Sequence, residues 1–123
     1  MKIRTTDNTR KIGFDYEREA VAFLTEKGYK IIKTNFTFGN VGEIDIIALD
    51  KDCLVFVEVR YREDDKFGLP EQSISLSKIA KIRKVAEAYL YINNLHNQNC
   101  RFDFIGITKN DGNLNLNHLI NAF

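Results

Sequence analysis

The sequence predicts one α/β domain, a mixed β-sheet with helices packed on it, and three observations support this. Two long stretches repeat apolar residues at helical spacing. Five shorter stretches carry strand patterns, in the order helix, three strands, helix, two strands. Between residues 42 and 60 the polar break Asp50-Lys51-Asp52-Cys53 separates two apolar-alternating runs, the pattern of a β-hairpin. A chain of 123 residues makes a single domain, residues 1–123, with no room for a second.

Residues 12 to 27 form the expected first helix, with Thr9 as a candidate cap and Gly28 as the stop. Residues 1–10 precede it and are expected to be a flexible N-terminal arm. On a helical wheel Gly13, Phe14, Ala20, Val21 and Leu24 lie within about 60° of Glu17, whereas Arg18 and Glu19 fall on the outer side. Glu17 therefore points inward, which is costly for an acid unless it is paired. Tyr29 to Phe38 reads as the first strand and Gly39-Asn40-Val41-Gly42 as a turn. Tyr61 to Gln72, with Gly68 and Pro70, reads as a loop that suits either a mobile lid or an ordinary connection. Ser75 to Asn93 forms the second helix, with an apolar face of Ile79, Ile82, Ala86, Tyr89 and Leu90 and with Lys78 flanking it. Arg101 to Thr108 and Leu114 to Ile120 are strands joined by the tight turn Asn110-Asp111-Gly112-Asn113. Strand three, helix two and strand four make a candidate right-handed crossover.

The hairpin concentrates the chemistry. A two-residue loop at Lys51-Asp52 sets Asp45 opposite Glu58, Glu43 opposite Arg60 and Ile47 opposite Phe56 on one face. Ile44/Val59, Ile46/Val57 and Ala48/Val55 then pair on the other, wholly apolar, face. Two carboxylates opposite each other repel, and they persist only with a shared proton, a cation or a metal. Taken alone, the pattern fits a metal site and a salt-bridge cluster centred on Arg60 equally well.

Composition narrows the function classes. Apolar residues at 44% and charged residues at 28% are those of a soluble globular protein, and no apolar run approaches the length of a bilayer span. The first residues carry charge without an apolar segment behind them, so neither a signal peptide nor an anchor is expected and the cytoplasm is the expected location. Cys53 and Cys100 have no partner at zinc-ligand spacing and read as reduced core thiols; His96 and His118 are unremarkable. The net charge of +1 excludes a wholly basic nucleic-acid coat. The segment from Arg60 to Lys84 is nevertheless locally positive: Arg60, Arg62, Lys66, Lys78, Lys81, Arg83 and Lys84 face only Glu63, Asp64, Asp65 and Glu71.

Gly42-Glu43-Ile44-Asp45 followed across the hairpin by Val57-Glu58-Val59-Arg60 resembles the PD-(D/E)XK signature of restriction-endonuclease-like nucleases. Together with Gly13, Glu17 and Ala20, Asn35, Gly68 and Pro70, Lys78 and Arg101-Phe102-Asp103, it resembles the YraN family of small bacterial endonuclease-like proteins, from about Gly13 to Thr108. The resemblance implies a restriction-endonuclease-like mixed sheet flanked by helices. It further implies that Asp45, Glu58 and the Val59 carbonyl ligate a divalent cation, with Glu17 as a further candidate ligand and Glu43 in support. Arg60 stands where the pattern has lysine. It can offset phosphate charge but stays protonated and is a poor base. Tyr16 stands where a small residue is expected.

Oxygen ligands without His or Cys suit Mg²⁺, with Mn²⁺ as a substitute. The expected activity is phosphodiester hydrolysis in DNA, favoured over RNA, in branched or single-stranded forms. Glu17, Asp45, Glu58 and Arg60 would be catalytic, and Arg62, Lys78, Lys81 and Lys84 would bind the nucleic-acid backbone. A homodimer would suit cutting of two strands. Two rivals stand beside it: a nucleic-acid-binding module of the same fold that cuts weakly or not at all, and a structural or partner-binding domain.

Overall fold

The computed structural model of the chain describes residues 5–63, 70 and 74–123, with side chains from Tyr16 onward. Helix α1 (Thr5–Glu26) precedes strands β1 (Lys30–Phe38), β2 (Gly42–Asp50) and β3 (Cys53–Arg62). Helix α2 (Leu76–Ile92), then β4 (Cys100–Asn110) and β5 (Asn113–Leu119), complete the order α-β-β-β-α-β-β. The five strands lie side by side in sequence order. β3 and β4 run parallel, with α2 on the connection between them, and the other neighbours are antiparallel. This is the mixed α/β sheet that the sequence predicts.

Local chemistry sets the element ends. Gly28 follows α1 at a φ of +95°, and the Tyr29 N–H returns to the Leu24 carbonyl at 3.0 Å, so α1 stops where glycine permits the left-handed turn. Ser75 caps α2, its side chain accepting the Lys78 N–H at 3.1 Å. In the β4–β5 turn Asp111 and Gly112 both have positive φ, 51° and 82°, as a tight two-residue hairpin turn requires.

Alternation along the strands sends side chains to two cores. On one side Ala20 and Leu24 of α1 pack with Ile46, Ala48, Val55, Val57, Ile105 and Ile107. On the other, Ile82, Val85, Ala86 and Tyr89 of α2 pack with Ile44, Ile47, Leu54 and Phe56. The sheet is thus sandwiched between the helices, and Phe56 is among the largest fully buried side chains.

Several expectations are revised. α1 begins at Thr5, so residues 5–10, assigned to an arm, are helical in backbone, and Thr9 lies inside the helix instead of capping it. β3 continues through Tyr61 and Arg62 because β4 runs beside them, pairing Tyr61 with Ile107 and Arg62 with Thr108. Residues 64–69 and 71–73, which carry the suggested lid with Lys66 and Gly68, lie outside the described residues. Ile44 packs on the α2 side with Ile47 and not with Ile46, so side chains do not alternate regularly across Asp45. Beside that step Asn35, between Thr34 paired with Ile46 and Phe36 paired with Ile44, has a φ of +55°; the β1–β2 register shift lies further along, between Ile31 and Lys33. Cys100 is exposed and Cys53 half-buried, so neither is a core thiol. Val85 joins the buried face of α2.

Candidate active site

The hairpin register holds from the turn inward. Asp50 pairs with Cys53, Leu49 with Leu54, Ala48 with Val55, Ile47 with Phe56 and Ile46 with Val57, as a loop of Lys51-Asp52 requires. The β2–β3 ladder stops there. Two residues further along β3, the Val59 N–H donates to Asp45 Oδ2, at 2.8 Å. A side chain has taken the place of a ladder bond, and the acids of the hairpin gather at this opening.

Glu58 is 5% exposed. Arg60 Nε lies 3.1 Å from Glu58 Oε2, and Lys78 Nζ, from the first turn of α2, lies 3.9 Å from the same oxygen. Both cations keep 37% of their side-chain surface exposed, so they join the buried carboxylate to solvent. They do not neutralise the site. Burial, reinforced by the Asp45 charge and by a hydrogen bond between the two carboxyl groups, pushes Glu58 up to about 8. Burial also raises Asp45, against the lowering effect of the Val59 N–H. Both shifts favour a proton held between the two carboxyl groups.

Glu17 approaches from α1, half-buried, with Arg18 and Glu19 exposed beside it as the wheel predicts. Burial and the nearby Asp45 charge push it up to about 7, although the Asn35 side chain hydrogen-bonds to it and pulls the other way. Asn35, one of the residues that carry the family resemblance, sits inside β1 in the left-handed conformation that asparagine tolerates, and its amide is given to Glu17. A cavity of about 150 Å³, lined by Glu17, Arg18, Val21 and Thr34, keeps this carboxyl open to water. Glu43 is half-buried, and burial followed by the Asp45 charge raises it. The structure thus brings Glu17, Glu43, Asp45, Glu58, Arg60 and Lys78 into one electrostatic cluster. Arg62 is half-buried at the end of β3, and Lys81 and Lys84 are exposed on α2, outside this cluster.

Among the described residues no three acidic, His or Cys side chains converge closely enough to hold a metal ion unaided. The donor set is two carboxylates in contact, oxygen donors of the kind that Mg²⁺ takes together with water and phosphate. Asp45 and Glu58 fit that role.

A second polar cluster is centred on Arg101 and Asp103, whose further partners the sequence did not reveal. Asp103, fully buried, accepts from Arg101 Nε at 2.9 Å, from the Asn121 N–H at 2.9 Å and from His118 Nε2 at 2.8 Å. Arg101 also reaches Asp50 Oδ2 at 3.1 Å and the Tyr29 hydroxyl at 2.8 Å. Lys27 Nζ, a donor only, lies 2.9 Å from His118 Nδ1, so that nitrogen accepts and the Nε2 proton goes to Asp103. Burial alone would raise Asp103, but the hydrogen bonds from His118, Arg101 and Asn121 hold it below the ordinary carboxylate range. Arg101 and Asp103 are neighbours on one face of β4, but Tyr29, Asp50, His118 and Asn121 come from other parts of the chain, so no local spacing announces them.

Among the described residues no helix is long and apolar enough to cross a membrane. Comparison with known proteins gives a consistent assignment. The model of the uncharacterised protein family UPF0102 matches residues 16–107. A UPF0102 protein of Carboxydothermus hydrogenoformans is 40% identical over 115 residues, covering 94% of this chain and 97% of its own. Another, from Cytophaga hutchinsonii, is 44% identical over 96 residues, covering 78% and 83%. A third, from Clostridioides difficile, is 42% identical over 116 residues, covering 94% and 99%. The matched segment carries Glu17, the acid hairpin, Lys78 and Asp103, and the chain belongs to UPF0102, the YraN family that its motifs resemble.

Proposed function

We propose that this protein is a Mg²⁺-dependent nuclease that hydrolyses phosphodiester bonds in DNA. The observation that supports this reading most is the buried, proton-sharing pair Asp45 and Glu58 at the point where the β2–β3 ladder opens, with two half-exposed cations on Glu58. A salt-bridge cluster built for stability would pair its acids with cations singly. Here two acids are pressed together, and burial leaves them short of positive charge.

Asp45, Glu58 and the Val59 carbonyl would hold the ion. Bound there, Mg²⁺ would lower the pKa of water and offset charge on phosphate oxygens. Asp45 is oriented by the Val59 N–H and Glu58 by Arg60 and Lys78, so the carboxylates are fixed before substrate arrives. Lys78 and Arg60 direct their free donors at the non-bridging phosphate oxygens. Arg60 keeps its proton and cannot act as the base. Glu17, pushed up to about 7, gives and takes a proton near neutral pH and is the group suited to accept one from the attacking water. Glu43 adds negative charge beside Asp45, and Arg62, Lys81 and Lys84 steady the flanking backbone with little reading of sequence. Mn²⁺ substitutes for Mg²⁺. The reading places the protein in the cytoplasm, where DNA and Mg²⁺ meet, and a homodimer would align two such sites for double-strand cutting.

Calorimetric titration of Mn²⁺ tests the centre without a choice of substrate. Because the ion displaces the shared proton, affinity should rise about tenfold per pH unit up to about 8 and then level off. Glu58→Gln should bind none. Retained binding in that variant, or none by the parent protein even with an oligonucleotide present, would end the metal assignment. Arg60→Lys should cleave at least as fast as the parent, since lysine keeps the charge on Glu58; loss of cleavage with Mn²⁺ binding intact would show that the arginine fork itself is required.

A further inference from the structure

Beside the acid centre stands an aromatic pair that the hydrolytic chemistry does not use. Tyr16 precedes Glu17 on α1, and Tyr61 follows Arg60 on β3. Their rings stack face to face, centroids 3.7 Å apart and planes within 11°. Both are half-buried and pack against the α1-side core, whereas Glu58 carries Arg60 and Lys78. The Tyr61 hydroxyl is hydrogen-bonded to Tyr16 and donates to Glu63 Oε2 at 3.3 Å, which fixes the ring.

The geometry is unusual for a core contact. Two equal phenol rings prefer an offset or an edge-to-face arrangement, with centroids 4.5–7 Å apart, because their electron-rich faces repel. The other aromatic pairs among the described residues obey this, from Phe36 and Tyr89 at 5.1 Å to Phe56 and Tyr89 at 6.1 Å. A tyrosine face is better matched by a nucleobase, whose ring nitrogens and carbonyls withdraw electrons from its own face. Stacking of that kind is how aromatic side chains hold single strands without reading their sequence.

We propose that Tyr16 and Tyr61 form a stacking platform for one unpaired nucleobase of single-stranded DNA, next to the phosphate addressed by the acid centre. The position of that phosphate rests on the nuclease reading; the stacking itself does not. The base is held from the α1 side, and the phosphate by Arg60 and Lys78. A base locked inside a continuous duplex offers no free face to the platform, so single-stranded segments, including those at branch points, are the substrate class.

The test is binding in EDTA, where cleavage cannot occur, with oligothymidine carrying interspersed 2-aminopurine as the probe and a blunt duplex of equal length as the comparison. The parent protein should quench 2-aminopurine fluorescence and bind the single strand at least about tenfold more tightly than the duplex. Tyr61→Phe, which keeps the ring, should do the same. Tyr61→Leu should lose the quenching and about tenfold in single-strand affinity, with duplex binding unchanged. Binding by the parent without quenching, or an equal loss on both probes in Tyr61→Leu, overturns the platform, and the first of these needs no variant to fold. Quenching in a protein that binds no Mn²⁺ would uphold the platform while the nuclease reading falls; Mn²⁺ binding without quenching would do the reverse.

Discussion

Glu58→Gln should melt about 5 °C above the parent protein at pH 9 while losing all divalent-cation binding. The sign follows from the raised pKa. A carboxyl that titrates at about 8 when folded, against 4.5 ordinarily, favours the folded state only while protonated. That contribution is complete below about 4.5 and is lost as pH rises through about 8. Above it the ionised pair Asp45 and Glu58 works against the fold, even with Arg60 and Lys78 in contact. Glutamine has the shape of the protonated acid and never ionises, so it keeps at pH 9 what the parent loses. The two curves should converge near pH 5. Thermal unfolding of both proteins across pH 5–9 in EDTA measures this, and a variant less stable than the parent at pH 9 would show that its ion pairs outweigh the repulsion. Saturating Mn²⁺ should raise the parent's transition and leave the variant's unchanged.

Asp103→Asn should have the opposite effect, a loss of about 3 kcal/mol or more and a fall in melting temperature of at least about 10 °C at pH 7. Asp103 accepts four hydrogen bonds from Arg101, His118 and Asn121 with none of its surface exposed. Asparagine has one acceptor oxygen, and its amide hydrogens would face the donors of Arg101 and His118. Asp50 still partners Arg101, but the deepest charge of the cluster is gone. The lowered pKa gives a second signature: the stabilisation by Asp103 is complete above the ordinary value of 3.8 and is lost as pH falls below it. Denaturant unfolding of the two proteins at pH 7 and pH 3 checks it, and an unchanged midpoint at pH 7 would mean that the cluster contributes little. With the Glu58 contribution complete only below about 4.5 and that of Asp103 only above 3.8, these two groups together place the parent's greatest stability near pH 4–5, declining towards pH 8.

The hairpin was legible because a two-residue loop fixes every pair behind it, and Lys51-Asp52 does set Ile46 against Val57. The inward position of Glu17 was legible for the same kind of reason, since helical spacing is local. What stayed hidden depended on other elements. The side taken by Ile44 goes with the left-handed Asn35 beside it in β1, a strand that the hairpin pattern does not contain. The extent of β3 follows from β4 running beside it. His118 looked ordinary because its meaning comes from Asp103 and Lys27, far away in sequence and on different elements. The start of α1 at Thr5 was missed because apolar periodicity begins later than the helical backbone does.

The bond from the Val59 N–H to Asp45 gives the sheet a property that a complete ladder lacks. Elsewhere strand spacing is set by main-chain groups whose charge never changes; here it is set by a side chain that titrates. At this point the seam between β2 and β3 is therefore closed by a carboxylate and not by a main-chain carbonyl. Any cation that seats there acts on the mechanics of the sheet as well as on its electrostatics.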